Sequence, residues 1–220
     1  MSIALLVHAG DSNAWAWPHF LRHFAKWWDA DCGIPVYFAS EEVPVDHPRT
    51  INLKIGFRPW GGFIQKALLK IPEDHILFMH SDYFFIDQID YSLLNTLHNL
   101  AHSKDIRILK CCGSWMGFEN PMFPPTQENM DGVEMWRYNN KSDYLTSQQE
   151  SIWEKQTLYD SILPSEQPWS AETNGSNRLK ARNPDVRIYA YRGRPPVPYE
   201  ETIGRGQIRP GAEKYFEGTK

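Results

Sequence analysis

The sequence predicts an α/β fold, a single domain over residues 1–220 with a central, mostly parallel mixed sheet flanked by helices. Short apolar runs of strand type alternate with amphipathic helical stretches through residues 1–112, the order that builds a parallel sheet covered on both faces. Two of those runs, Ile3 to Val7 and His75 to Met79, are almost unbroken in apolar character, as strands buried on both faces are. A length of 220 residues suits one domain of this kind and is enough for a sizeable core.

The elements follow in order. Ile3 to Val7 is a strand that runs into a polar loop, His8-Ala9-Gly10-Asp11-Ser12-Asn13. From Trp17 to Trp28, Phe20, Leu21, Phe24, Trp27 and Trp28 recur with a 3.6-residue period, and Pro18 suits a first helical turn. Pro35 to Ala39 and Ile51 to Phe57 read as the next strands. Trp60 to Leu69 reads as a helix stopped by Pro72. His75 to Met79 is the second buried strand, and it ends at His80-Ser81-Asp82-Tyr83. Tyr91 to His102 is a helix and Ile106 to Cys112 a strand. Residues 113–140, rich in Gly, Pro, Asn and Met, read as a long loop. Gln148 to Leu163 reads as a helix with Ile152, Trp153, Tyr159, Ile162 and Leu163 inward. Val186 to Tyr191 is a late strand before a Gly/Pro/Arg-rich tail.

Composition narrows the function. A formal net charge of −4 offers no basic excess for a nucleic-acid backbone. Basic residues nevertheless gather from Arg178 onward, a distribution suited either to a small anionic ligand such as a diphosphate or to a solvated surface. The three cysteines, Cys32, Cys111 and Cys112, make neither a disulfide framework nor a zinc spacing, and reduced thiols fit a cytoplasmic protein. No run approaches the ~20 apolar residues that span a bilayer, so any membrane association is expected to be peripheral. No GxSxG elbow is present for a serine hydrolase.

In open α/β sheets, ligands gather at the carboxyl ends of strands, so the loops at 8–13 and 80–85 should share one rim. The segment Ile76-Leu77-Phe78-Met79-His80-Ser81-Asp82-Tyr83 places a carboxylate just past a buried strand. In extended chain, residues i and i+2 face the same way, so His80 and Asp82 point together at one cation or one ligand hydroxyl. Otherwise Asp82 caps a turn and His80 is hydrogen-bonded in the rim.

This segment resembles the metal-binding motif of GT-A glycosyltransferases, Asp-x-Asp after a hydrophobic strand, with His80 where the first acid stands. The resemblance implies a Rossmann-like sheet, a nucleotide-sugar-binding half at 1–112, and an acceptor and catalytic half at 113–220 that includes the C-terminal tail. It implies a nucleotide diphosphate sugar donor, a glycan or other hydroxyl acceptor, and Mn²⁺ or Mg²⁺ held by Asp82 and His80. His8, Ala9, Gly10 and Asn13 would meet the nucleotide, and Gly61 and Gly62 would let backbone approach the nucleoside. Ser81 and Asp82, with Arg205 or Arg209 from the tail, would hold the diphosphate. The family's late catalytic acid corresponds to Glu172 in Gln167-Pro168-Trp169-Ser170-Ala171-Glu172. A lone late Glu implies a base for inverting transfer, the other role open to it being a helix cap or a surface acid. Trp115 and Trp169 are candidate acceptor platforms or loop anchors, and Gln148 a candidate contact to acceptor hydroxyls.

Two other classes compete. A sugar-nucleotide nucleotidyltransferase would carry a Gly-rich basic loop after the first strand, whereas residues 8–16 hold one glycine, Gly10, and no Lys or Arg. A non-catalytic carbohydrate-binding protein remains open because His80 replaces an acid.

Overall fold

A computed structural model describes residues 2–111, 122 and 124–217. The strands are β1 (Ile3–His8), β2 (Val36–Ser40), β3 (Ile51–Lys54), β4 (His75–His80), β5 (Tyr83–Phe85), β6 (Ile108–Lys110), β7 (Thr126–Met130), β8 (Val133–Arg137), β9 (Ser151–Glu154), β10 (Ile188–Tyr191), β11 (Tyr199–Glu201), β12 (Ile203–Gly204) and β13 (Gln207–Ile208). The helices are α1 (Trp17–Trp27), α2 (Trp60–Leu68), α3 (Tyr91–Ser103), α4 (Lys155–Ser161) and α5 (Pro168–Arg182).

One nine-stranded sheet, ordered β3-β2-β1-β4-β9-β6-β10-β8-β7, runs through both halves of the chain. β1 is parallel to β2 and β4, β2 to β3, and β6 to β10. β9 is antiparallel to both its neighbours, and β8 to both of its own. The result is the predicted mixed, mostly parallel sheet.

Strand alternation divides the core into two layers. Leu5, Val7, Leu77, Met79, Leu109 and Ile152 face one way and pack with Phe20 and Phe24 of α1 and Leu94 and Leu97 of α3. Ala4, Leu6, Ile76, Phe78, Ile108 and Trp153 face the other, against Phe63 and Ile64 of α2, Leu158 of α4 and Ala171 of α5. Each fully buried large apolar side chain contributes about 1.5–3 kcal/mol, so the helical periodicity of α1 and the unbroken runs of β1 and β4 dictate this sandwich.

Two segments differ from the sequence expectation. Residues 113–140 were expected to form one long loop, but β7 and β8 make a hairpin across Asp131 (φ 53°) and Gly132 (φ 89°). Both central residues lie in the left-handed region, which is what a two-residue hairpin turn with the right twist requires. Thr126-Gln127-Glu128-Asn129 is too polar to read as a strand, because β7 is the outer edge of the sheet. The expected helix from Gln148 to Leu163 is instead β9 followed by α4. Ile152 and Trp153 are both buried, but on opposite faces of the sheet, so their adjacency carries no helical meaning.

Gly61 and Gly62 have a packing role in the fold. Their N–H groups donate to the carbonyls of Glu166 (2.9 Å) and Pro164 (2.8 Å), so the loop before α5 caps the first turn of α2. A Cβ on Gly61 would lie 2.0 Å from the Leu163 carbonyl oxygen, and one on Gly62 3.1 Å from that of Pro164. Gly61→Ala is therefore expected to push this loop away and cost about 3 kcal/mol, with Gly62→Ala costing less. Urea unfolding checks this: the midpoint should fall at unchanged slope. A Gly61→Ala protein as stable as wild type would refute the packing argument.

Candidate functional site

The parallel strands β1 and β4 end level with each other, His8 opposite His80. β9 runs the other way, with Ser151 opposite Phe78, so the segment that precedes it, residues 144–150, approaches from the same rim. On that rim a cleft of about 680 Å³ is lined by His80, Asp82, Tyr83, Tyr144, Gln148, Gln149, Pro168, Trp169, Glu172, Glu201 and Arg209. The residues come from four parts of the chain: the end of β4, the 144–149 segment, the first turns of α5, and the C-terminal β-ribbon.

Asp82 sits in the turn between β4 and β5. Its carbonyl accepts hydrogen bonds from the Thr202 N–H (2.8 Å) and hydroxyl (3.0 Å). β11 pairs with β5 so that Glu201 lies opposite Tyr83, beside Asp82. The chain then turns back at Arg205-Gly206, and Arg209 returns to donate its N–H to Thr202 and pair with Glu201. Burial, reinforced by Glu201 and opposed by Arg209, pushes the Asp82 carboxyl up to about 7.

Glu172 enters from the second turn of α5, a helix begun by Pro168 and a capping box between Gln167 and Ser170. Its carboxylate accepts the Gln148 N–H at 2.8 Å. Burial raises this carboxyl above its ordinary range, while the Gln148 N–H and the Lys110 ammonium pull it back. A carboxyl shifted upward by burial gains proton affinity, the property a general base needs.

His80 keeps its place on the rim but turns its Nδ1 to that of His8, 3.0 Å away. One imidazole must donate and the other accept, so the two rings cannot both be charged. Burial drives His8 well below the usual range, helped by His80. Burial takes His80 to about 4, with the Gln148 side chain acting in the opposite direction. The strand periodicity thus brings His80 and Asp82 to one cleft, with one nitrogen of His80 already engaged.

The remaining expected residues divide. Arg209, Gln148 and Trp169 line the cleft, and Trp169 is 74% exposed at its edge. Gln148 lies in the segment before β9, and its side-chain oxygen is buried without a hydrogen-bond partner among the described residues. Ser81 is buried, with its N–H on the His8 carbonyl, and Ala9 is fully buried. Gly10 and Asn13 lie in the loop after β1, where the Asn13 N–H donates to the Gly10 carbonyl. Arg205 is exposed at its turn and does not line the cleft. Trp115 lies outside the described residues. Gln149, beside the expected Gln148, also lines the cleft, while Glu201, Tyr83 and Tyr144 were missed. Glu201 and Arg209 flank a Gly-Arg-Gly turn at eight residues' spacing, the one sequence signal that a hairpin would bring them together.

The architecture is GT-A-like, the fold class that this sheet order and rim cleft define. S. aureus TarS shares it at 14% identity and a TM-score of 0.55, over 90% of this chain and 36% of that one. TarS 1-349 in complex with UDP-GlcNAc matches at 15% identity and 0.54, over 90% of this chain and 57% of that one. The mannosyltransferase PcManGT from Pyrobaculum calidifontis, in complex with GDP-Man and Mn²⁺, matches at 13% and 0.53, over 92% and 58%. This chain therefore spans between about a third and three-fifths of the length of those structures. No protein-family model and no curated protein sequence matches it. Among the described residues, no helix is long and apolar enough to cross a membrane.

Proposed function

We propose that the chain is a nucleotide-sugar glycosyltransferase that moves a sugar from a nucleotide diphosphate onto a hydroxyl of a glycan acceptor, with inversion. The observation that carries this reading is that Asp82, just past β4, and Glu172, at the start of α5, line one cleft on the carboxyl rim of a GT-A-like sheet. Glu172 takes the acceptor hydroxyl proton as that oxygen attacks the anomeric carbon. The bond from that carbon to the diphosphate breaks, and its electron pair leaves with the diphosphate. Arg209 supplies positive charge to the departing group once it exchanges Glu201 for phosphate oxygens. Trp169 offers a flat apolar face to a sugar ring at the mouth.

A divalent cation fits this donor set. Among the described residues no group of three or more His, Cys, Asp or Glu could hold a metal alone. Mg²⁺ at nucleotide sites needs only one or two carboxylates together with substrate phosphates. Asp82 supplies an oxygen ligand, and burial, with Glu201 adding to it, raises its proton affinity, so a cation would meet a carboxylate that favours neutralisation. A bound Mn²⁺ or Mg²⁺ would neutralise the diphosphate as it leaves. His80, with Nδ1 engaged, has only Nε2 to offer.

The relatives of known structure supply the probes. UDP- and GDP-sugars with Mn²⁺ or Mg²⁺ should raise the melting temperature, since a ligand at about 100 times its Kd adds about 2.7 kcal/mol. Added glycan acceptors should then release nucleotide diphosphate from the stabilising donor. Absence of any shift across the panel would refute donor binding. A shift without turnover on any acceptor would favour the carbohydrate-binding alternative, and pyrophosphate-dependent breakdown of the donor the nucleotidyltransferase.

A further inference from the structure

Lys110 closes β6 with its side chain only 2% exposed. Taking an ammonium out of water costs several kcal/mol unless its hydrogens find partners. Here Nζ donates to the Tyr144 carbonyl (2.8 Å) and the Ser147 hydroxyl (3.2 Å), and lies 4.5 Å from the centre of the Tyr138 ring. Both hydrogen-bond partners belong to the short segment that forms one wall of the cleft. Tyr144 takes a left-handed φ of 54°, a conformation a bulky residue adopts only under constraint, and the lysine holds its carbonyl there.

The other side of the same segment is stitched to α5. The Thr146 hydroxyl donates to the Glu172 carbonyl at 2.8 Å, and the Thr146 N–H to the Ser176 hydroxyl at 3.2 Å. Two residues on, the Gln148 N–H meets the Glu172 carboxylate. Residues 144–148 thus form a splint, with a buried cation on one side and the candidate base on the other.

We propose that Lys110 is the positioning residue for Glu172, fixing the splint that orients this carboxylate and supplying positive charge beside it. The inference rests on Glu172 being the base of the proposed transfer. The other charged and titratable groups that line the cleft are His80 and Asp82 after β4, Tyr83 of β5, Tyr144 of the splint, and Glu201 and Arg209 of the C-terminal ribbon, and just past the splint in the chain lies the fully buried Glu150, whose carboxyl burial raises. Burial raises the Glu172 carboxyl, and the positive charge of Lys110 acts against it.

The test is the pH profile of kcat/KM for transfer, with Lys110→Met, Lys110→Gln and Lys110→Arg beside wild type. A nearby positive charge favours the ionised carboxylate, so its removal must raise the pH at which the base becomes active. The acid limb should move up by about one pH unit in the Met and Gln variants. Transfer on the acid limb should fall about tenfold and recover at high pH, and the Arg variant should keep the wild-type limb. Donor-induced thermal stabilisation should persist in all of them. The Gln variant can still donate to the Tyr144 carbonyl, so it carries the test if the Met variant does not fold. A limb left in place in a folded Met or Gln variant overturns the inference, because a merely structural lysine would lower activity equally at all pH. Glu172→Gln separates the two failures. If it is inactive while the limb stays in place, only the role of Lys110 falls; if it keeps normal turnover, the base assignment falls and this inference with it.

Discussion

Glu172→Gln is expected to abolish sugar transfer and leave donor binding intact. The amide matches the carboxylate in shape, and its oxygen can still accept the Gln148 N–H that Glu172 accepts at 2.8 Å. The backbone stitching through Thr146 and Ser176 uses the Glu172 carbonyl and is untouched. What disappears is proton affinity. Loss of a positioned general base lowers rate by about 10²–10⁴-fold, so kcat should drop by that factor while the donor still raises the melting temperature. Folding should not suffer, since burial already works against the charged form of this group. Near-normal turnover in the variant would remove Glu172 from the chemistry and leave it the structural role of holding the 144–148 segment.

The layered core was legible because its signals are local. The unbroken runs of β1 and β4 need burial on both faces, and the Phe20–Phe24 spacing of α1 needs one buried stripe. The rim followed from topology, since parallel neighbours end together, and this alone placed Asp82 beside an opening. Other parts depended on pairing at long range. β9 is a four-residue strand that inserts antiparallel between β4 and β6, and nothing within it distinguishes a strand from a first helical turn. Gly61 and Gly62 were legible as a close approach, but the approaching group is the loop at 163–166, a hundred residues away. Lys110 ends a short strand with no motif around it, and its role emerges only when Tyr144 and Ser147 fold over it. Glu201 was hidden in the same way, because its place beside Asp82 depends on β11 pairing with β5.

Asp82→Asn should weaken donor binding and at the same time stabilise the empty protein, a combination expected of a residue kept for a ligand. One lost interaction with a charged group is worth about 1.5–3 kcal/mol, or roughly 10–100-fold in Kd. The stability effect follows from the proton balance. In the folded chain burial holds this carboxyl at about 7, against an ordinary value of 3.8. Between those values the folded state binds more protons than the unfolded one, so this group lowers stability as pH rises from about 4 to about 7. Above pH 7 the penalty is complete, and at pH 4 it is nearly absent. The uncharged amide escapes it, so the variant should gain on the order of 1–2 kcal/mol over wild type at pH 8 and almost nothing at pH 4. Saturating donor and Mn²⁺ should reverse the ranking at pH 8, because only wild type draws on Asp82 for binding. Equal donor affinity in the two proteins would show that the carboxylate past β4 does not hold the diphosphate. A variant no more stable than wild type at pH 8 would show that the charge is relieved within the protein itself.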